Sequence, residues 1–230
     1  MKNEKKHESA EHEMKGGKTD YEFVLQIAII AILAILVVYN AGKIYGGPSG
    51  GVQSAVISTQ ELDILPTGTP AVYGAEIGVK YDDVSTTNPQ LADATIEKLT
   101  AYENKELSKE LADRYLKIGS SISCEYCCGA QAIIFSNGER ACGCAHSYAM
   151  RGLAKYLLIE HPEMSDTDIL SEIGKWKVLF FPGIHEQKAQ ALKARGIDYT
   201  DYINLASNKY RGIENEASSS GSGGGMVGGC

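Results

Sequence analysis

Residues 124–146 read CEYCCGAQAIIFSNGERACGCAH and carry five of the chain's six cysteines and one of its five histidines. The stretch begins with a C-x2-C pair, a spacing that places two thiols on one side of a tight backbone turn. The dipeptide Asn137-Gly138 lies between two apolar runs, which predicts a β-hairpin. Two more cysteines and a histidine follow at the start of the next predicted helix. This order predicts a Cys-rich knuckle, a β-hairpin and ligands at a helix N-terminus, as in a treble-clef zinc finger.

The thiols and the imidazole of this stretch are side chains of the types that bind zinc. Structural zinc sites take four sulfur or nitrogen ligands in a tetrahedron, and a helix N-terminus stabilises thiolates. The candidate ligands are Cys124, Cys127, Cys142, Cys144 and His146. We expect the metal to be bound by Cys124, Cys127 and Cys144. Either Cys142 or His146 is the expected fourth ligand, and Cys128 is expected to be a spare thiol. Zinc is the first expectation and copper the second, and an all-thiolate set also suits an iron–sulfur cluster.

Helical patterns surround the cysteine-rich stretch and predict a mainly α fold, a small helical bundle into which the knuckle and hairpin are inserted. The residues of these patterns are 89–103, 108–120, 145–161, 165–181, 185–196 and 198–212. Apolar residues recur in them at helical spacing. Asn88 before Pro89 predicts one helix start, and Ser165 with Asp168 three residues later predicts another through a capping box.

An apolar run from Phe23 to Tyr39 contains no charged residue. A helix that spans a bilayer needs about 17–25 such residues, so we expect one transmembrane helix that contacts the lipid bilayer through residues 23–45. The lysines before the run are Lys2, Lys5, Lys6, Lys15 and Lys18, whereas Lys43 alone follows closely. Because cytoplasmic flanks are enriched in Lys and Arg, we expect a single-pass protein with its N-terminus in the cytoplasm and its C-terminal domain outside.

The same patterns predict the domain organisation of the chain. The predicted segments are a disordered tail (1–22), the membrane anchor (23–45), a linker (46–75), the Cys/His helical domain (76–213) and a Gly/Ser-rich flexible tail (214–230). The net charge of −7 and the lack of a basic cluster predict no nucleic-acid partner. Cys230 is a candidate for an intermolecular disulfide, and another exported or membrane protein is the partner class that the predicted location favours.

The order C-x2-C … SN … AMR … SD-x-x-IL … G … P resembles the thiol-oxidoreductase domain of the cytochrome c maturation haem-lyase complex. The matching residues are Cys124, Cys127, Ser136, Asn137, Ala149, Met150, Arg151, Ser165, Asp166, Ile169, Gly174 and Pro182. The resemblance implies a membrane-anchored three-helix bundle that reduces apocytochrome cysteines, with Cys124 as the attacking thiol and Cys127 as the resolving thiol. This chain lacks a proline beside that pair, and a two-thiol mechanism has no use for the other thiols or for His146.

The stretch CEYCCG … CGCAH also resembles the PCYCGC-motif membrane proteins, which share a helical Cys/His-rich architecture. Three hypotheses of different classes follow. The leading one is a metal-binding domain with a structural, sensing or delivery role. The second is a thiol–disulfide oxidoreductase acting on exported cysteines, which is the one enzymatic activity that the motifs support. The third is an interaction module stapled by disulfides, although an odd number of thiols in the segment counts against it.

Overall fold

The computed structural model of the chain describes residues 19–45, 62–217 and 226–228. The chain divides into two compact units, Met1–Ser58 and Thr59–Cys230. The described helices are α1 (Thr19–Tyr45), α2 (Gly74–Ile77), α3 (Pro89–Thr100), α4 (Lys109–Ser120), α5 (Glu125–Cys128), α6 (Ala145–Glu160), α7 (Asp166–Phe180), α8 (Pro182–Ala194), α9 (Tyr202–Ala206) and α10 (Glu214–Ala217). Short 3-10 turns occur at Tyr81–Asp83 and Asn208–Tyr210. The mainly α prediction is therefore confirmed.

The helix α1 belongs to the first unit and contains the apolar run predicted as a membrane anchor. The apolar side chains of residues 23–36 are exposed, as at Ile30 and Ile35, which are 65% and 67% exposed. Within the described parts of the chain, no helix meets the length and apolarity needed to cross a membrane. The membrane anchor over residues 23–45 stays a prediction.

Side-chain caps begin the helices of the second unit where the sequence predicts them. Asn88 accepts a hydrogen bond from the backbone N–H of Leu91 at 3.1 Å, with Pro89 in the first turn of α3. Ser165 and Asp168 form both hydrogen bonds of a capping box at the start of α7. Each cap satisfies backbone donors that have no partner within the helix and contributes about 1 kcal/mol. Both predicted helix starts are confirmed.

The helix α6 lies at the centre of the second unit, where it contacts α3, α4 and α7. Gly152 makes the crossing with α3 possible, because a Cβ at this position would overlap the backbone carbonyl oxygen of Leu99. The neighbouring α6 residues Leu153 and Ala154 are buried in the same core. The close approach of α3 positions the end of that helix, and the loop after it, beside the cysteine segment.

Residues 62–75, which fall within the predicted linker, pack against the helices. Tyr73 is fully buried, and its hydroxyl accepts a hydrogen bond from the indole N–H of Trp176 at 2.6 Å. The same hydroxyl donates to Glu172 at 3.1 Å. Ile64 is buried beside residues of α8 and α9. This part of the chain therefore contributes to the core, and residues 46–61 of the predicted linker lie outside the described residues.

The hairpin predicted around residues 137–138 is reduced to a single antiparallel bridge between Ile134 and Arg140. The backbone N–H of Ile133 instead donates to the carbonyl oxygen of Gly119 in α4 at 3.2 Å. Because the residues before the turn pack on α4, they do not extend the single bridge between Ile134 and Arg140 into a β-ladder. No strand occurs in the described residues, so the strand pair of the treble-clef-like prediction is not shown.

Replacing Gly152 with alanine is expected to lower the free energy of unfolding by about 1–3 kcal/mol, because the added methyl group forces α3 and α6 apart. Urea denaturation measures this loss. Gly143→Ala is the matched control, since a Cβ there meets nothing within 4 Å. Equal stability of the two variants would contradict the tight crossing of α3 and α6.

Candidate metal centre

Three thiols of the cysteine segment converge in one place. The Sγ atoms of Cys124, Cys127 and Cys144 all lie within 4.8 Å of one another. Cys124 precedes α5, Cys127 lies within it, and Cys144 precedes α6. Gly129 ends α5 with a φ of 70°, which turns the chain away from the thiols. These three residues, called the three-thiol group below, can serve as ligands of one metal ion.

The thiols of Cys124 and Cys144 interact directly, with their Sγ atoms 3.2 Å apart. The hydrogen bond from Cys124 lowers the pKa of Cys144 well below the usual range of a thiol. The backbone N–H of Ser147 also donates to Cys144 Sγ at 3.4 Å, and the N-terminus of α6 favours a negative charge there. The same contact with Cys144, together with burial, raises the pKa of Cys124. The pair therefore shares one proton, and Cys144 is the thiolate.

Exposure differs among the members of the three-thiol group. Cys124 is fully buried, Cys144 is half-buried and Cys127 is exposed. The oxidoreductase resemblance implies that Cys124 is the more exposed, attacking thiol. The burial of Cys124 argues against the role of attacking thiol, because an attacking thiol must reach a disulfide of another protein.

Cys128 and Cys142 form a second thiol pair, with their Sγ atoms 2.7 Å apart. Cys142 is buried, which together with the contact with Cys128 raises the pKa of its thiol. Neither residue belongs to the three-thiol group. The structure therefore places the predicted ligand Cys142 beside the predicted spare thiol, Cys128, rather than with the other predicted ligands.

His146 is buried next to the three-thiol group, although its ring nitrogens are not among the converging atoms. Its Nε2 donates a hydrogen bond to the carbonyl oxygen of Val227 at 2.7 Å. Its ring packs against Phe180 and Phe181, with centroids 4.7 and 5.0 Å away. A hydrogen bond with the His146 side chain is one of the contacts that lower the pKa of Cys144. His146 thus lies between the thiols and the segment that contains Val227.

A buried guanidinium holds the cysteine segment against α6. Arg151 is 1% exposed, and its Nη1 donates to the carbonyl oxygens of Ile133 and Cys142 at 3.0 and 2.9 Å. Its Nε donates to Glu103 at 2.8 Å, and Glu103 also pairs with Arg140. Burial alone would raise the pKa of Glu103, but the two arginines hold that pKa below its usual value. Glu103 has no sequence signal that connects it to the cysteines, because its partners lie in distant parts of the chain.

A second buried ionic cluster lies behind α5. Glu125, which follows Cys124 directly, pairs with Lys177 at 3.0 Å and with Arg211 at 2.9 Å. Lys177 is fully buried and also donates to the carbonyl oxygen of Ala206 at 2.8 Å. Burial lowers the pKa of Lys177, whereas the charges of Glu125 and Cys124 act in the opposite direction. The cluster places a buried ammonium group where it would stabilise a negative charge on Cys124.

Glu103→Gln is expected to lower the free energy of unfolding by about 3 kcal/mol, because the buried guanidinium of Arg151 then has no carboxylate to compensate its charge. The matched variant is Arg140→Met, which removes the half-exposed partner of the same carboxylate and should cost much less. Urea denaturation of both variants at pH 7 makes the comparison. If Arg140→Met lowers the free energy of unfolding as much as Glu103→Gln does, compensation of the buried charge of Arg151 is not the main role of Glu103.

Lys188→Met is expected to raise the free energy of unfolding by up to about 3 kcal/mol near pH 7.5, because burial and the neighbouring charge of Lys177 lower the pKa of Lys188 to about 8. Between about pH 8 and the usual lysine pKa of about 10.4, the unfolded chain binds more protons than the folded chain. The contribution of Lys188 to the free energy of unfolding therefore rises with pH between about pH 8 and 10.4. The advantage of the variant should shrink as the pH approaches 10.

Thermal unfolding at several pH values between 7.5 and 10 measures this effect. Lys193→Met is the control, since Lys193 is exposed on the same helix, α8. A constant difference between wild type and Lys188→Met across the whole pH range would contradict the assignment of a lowered pKa to Lys188.

Comparisons of the chain with protein-family models, with curated proteins and with solved structures found no match. The resemblances to the thiol-oxidoreductase domain and to the PCYCGC-motif proteins therefore remain predictions from the sequence.

Proposed function

We propose that this chain is a metal-binding protein that holds a thiophilic metal ion in the three-thiol group, with zinc first and copper second. The observation that carries this proposal is the convergence of the three Sγ atoms within 4.8 Å of one another. Ligands in a tetrahedral zinc–thiolate site lie roughly 3.7 Å apart, as follows from Zn–S bonds of about 2.3 Å. Small side-chain rotations are enough to bring the thiols to that spacing.

The surroundings of the three-thiol group favour a soft metal ion bound by thiolates. Thiolates select zinc, Cu(I) and iron–sulfur clusters over magnesium or calcium. A divalent ion with three thiolates carries a net negative charge, which the buried ammonium of Lys177 and the N-terminus of α6 both stabilise. The hydrogen bonds of Arg151 to the carbonyl oxygens of Ile133 and Cys142 hold the loop that precedes the ligand Cys144, as supporting contacts around a metal site do.

We also propose that the metal-binding domain lies outside the cytoplasm, anchored by a single membrane-spanning helix with its N-terminus inside. The support is the charge-free run from Phe23 to Tyr39 and the excess of lysines before it. A metal held next to a membrane suits a structural, sensing or delivery role, with another exported or membrane protein as the partner.

The second candidate function is thiol–disulfide exchange, which the low pKa of Cys144 and its 3.2 Å contact with Cys124 favour. The Cys144 thiolate would attack a disulfide of an exported protein, forming a mixed disulfide and releasing one thiolate of that protein. Cys124, once deprotonated, would then attack the Cys144 sulfur, forming a disulfide with it and releasing the second thiolate. An external dithiol reductant is needed to reduce Cys124 and Cys144 again, and it becomes oxidised in that step.

The full chain, purified without oxygen, is expected to contain about one metal ion per chain with its thiols reduced. Mass spectrometry measures the metal, and a thiol reagent in denaturant counts the reduced cysteines. Cys144→Ser should weaken zinc binding by at least about 100-fold, since even a change outside the first ligand shell costs about 10–100-fold. Cys128→Ser is the matched control, because Cys128 lies outside the three-thiol group.

Two other outcomes would replace the proposal. A metal-free chain with one cysteine pair that a mild reductant opens and an oxidant closes would make thiol–disulfide exchange the function. A metal-free chain with two disulfides that resist mild reductants would leave a disulfide-stapled interaction module.

A further inference from the structure

Cys128 and Cys142 form a thiol pair that the proposed metal centre does not use. Their Sγ atoms lie 2.7 Å apart, and neither residue belongs to the three-thiol group. A disulfide bond is about 2.0 Å long, so a small side-chain rotation brings the two sulfur atoms to bonding distance. The five thiols of the cysteine segment therefore divide into a pair and a group of three, which accounts for their odd number.

The two thiols of the pair differ in exposure. Cys128 is the last residue of α5 and is exposed, whereas Cys142 is 6% exposed. A dissolved oxidant therefore reaches Cys128 first, and Cys142 reacts through Cys128. An accessible thiol in contact with a buried one is the arrangement of an attacking and a resolving cysteine.

Contacts from outside the cysteine segment hold the backbone near both thiols of the pair. The guanidinium of Arg211 donates to the carbonyl oxygen of Ala130 at 3.0 Å, two residues after Cys128. Arg151 donates to the carbonyl oxygen of Cys142 at 2.9 Å. Because the two thiols are held in contact before any reaction, a bond between them forms with little further loss of chain entropy.

We propose that Cys128 and Cys142 are a redox-active pair, which closes into a disulfide outside the cytoplasm while the three-thiol group keeps its metal ion. This inference rests on the proposed metal-binding function and on the proposed location. Disulfides form and persist in extracytoplasmic compartments. The sulfur atoms of the three-thiol group are bonded to the metal ion, whereas those of the pair are available for oxidation.

The oxidant of the proposed reaction is a low-molecular-weight disulfide, such as oxidised glutathione. The Cys128 thiolate attacks one sulfur of this disulfide, which forms a mixed disulfide and releases the first glutathione thiolate. Cys142 loses its proton to solvent and attacks the Cys128 sulfur, which forms the Cys128–Cys142 bond and releases the second glutathione thiolate. The two thiolates take up the two protons that the cysteines lost. The pair is thereby oxidised by two electrons, and the glutathione disulfide is reduced to two thiols.

The disulfide would join the end of α5 to the residues before α6. Both places adjoin metal ligands, because Cys127 directly precedes Cys128 and Cys144 follows Cys142 by two residues. The bond closes a loop between residues 14 positions apart, which restricts the unfolded chain. It therefore stabilises the fold that brings the ligands together, and it uses none of the ligands.

The test uses the full chain, loaded with zinc and equilibrated in glutathione buffers of increasing oxidised fraction. Free thiols are then alkylated in denaturant with a chelator, and tandem mass spectrometry of unreduced peptides maps the disulfides. We expect a Cys128–Cys142 disulfide in the oxidised samples, with Cys124, Cys127 and Cys144 alkylated. Zinc, measured before denaturation, should stay at about one ion per chain.

Cys128→Ser is the matched variant, because it removes the exposed thiol of the pair and leaves the three-thiol group intact. In reducing buffer it should equal the wild type in zinc content and in the midpoint of thermal unfolding. In oxidising buffer the wild type should unfold about 5–10 °C above the variant, since the wild type alone gains the cross-link.

Two further variants check the assignment of the bond. Cys142→Ala should leave Cys128 either alkylated or joined to glutathione, with no disulfide to another cysteine of the chain. Cys230, the candidate for an intermolecular disulfide, lies outside the described residues. Cys230→Ser should therefore show the same Cys128–Cys142 bond as the wild type.

The outcomes separate this inference from the proposed function. A wild type that binds zinc but forms no Cys128–Cys142 disulfide in the most oxidising buffer overturns this inference alone. A wild type whose disulfide joins Cys124 and Cys144, with loss of zinc, overturns it as well. A wild type that binds no zinc in reducing buffer overturns the proposed function, and with it the division of the thiols into a redox pair and a metal-binding group.

Discussion

The buried guanidinium of Arg151 fixes the cysteine segment to the helical core. It donates to two backbone carbonyls of that segment, those of Ile133 and Cys142, and its charge is compensated by Glu103. An irregular segment has few hydrogen bonds of its own, so its backbone groups need partners elsewhere. Because Arg151 lies on α6 and Cys144 caps the N-terminus of the same helix, one element both positions a thiol and holds the loop that precedes it.

Electrostatics at the three-thiol group favour negative charge on sulfur. Cys144 caps the N-terminus of α6, where the backbone N–H of Ser147 donates to its sulfur, and the buried Lys177 pairs with Glu125 of α5. Placing a lysine away from water is costly, and Glu125 offsets part of that cost by pairing with it. The arrangement lowers the pKa of Cys144, and both a metal ion and a disulfide of another protein react with a thiolate rather than with a thiol.

The helical framework could be predicted well from local signals. Asn88, Ser165 and Asp168 are caps whose role depends on residues three positions away, so the sequence alone reveals them. The strand pair around residues 137–138 was expected from an equally local signal, but tertiary contacts override it. Ile133 and Ile134 are buried against Gly119 of α4, and the backbone there bonds to α4. A local preference for a β-hairpin is weaker than the burial of apolar side chains when the hairpin would form only a short β-ladder.

Helical periodicity and cysteine spacing are local properties, so the mainly helical fold and the candidate ligands in residues 124–146 could be predicted from the residues alone. Which thiols converge depends on how the helices pack. Cys142 pairs with Cys128 instead of joining the three-thiol group, and Cys124 contacts Cys144, which lies at the N-terminus of α6. The burial of Glu103 and Lys177 also depends on tertiary packing, because the charges that compensate them belong to residues that are distant in sequence. A pattern of residue types records which groups are present, whereas their distances depend on how the helices pack.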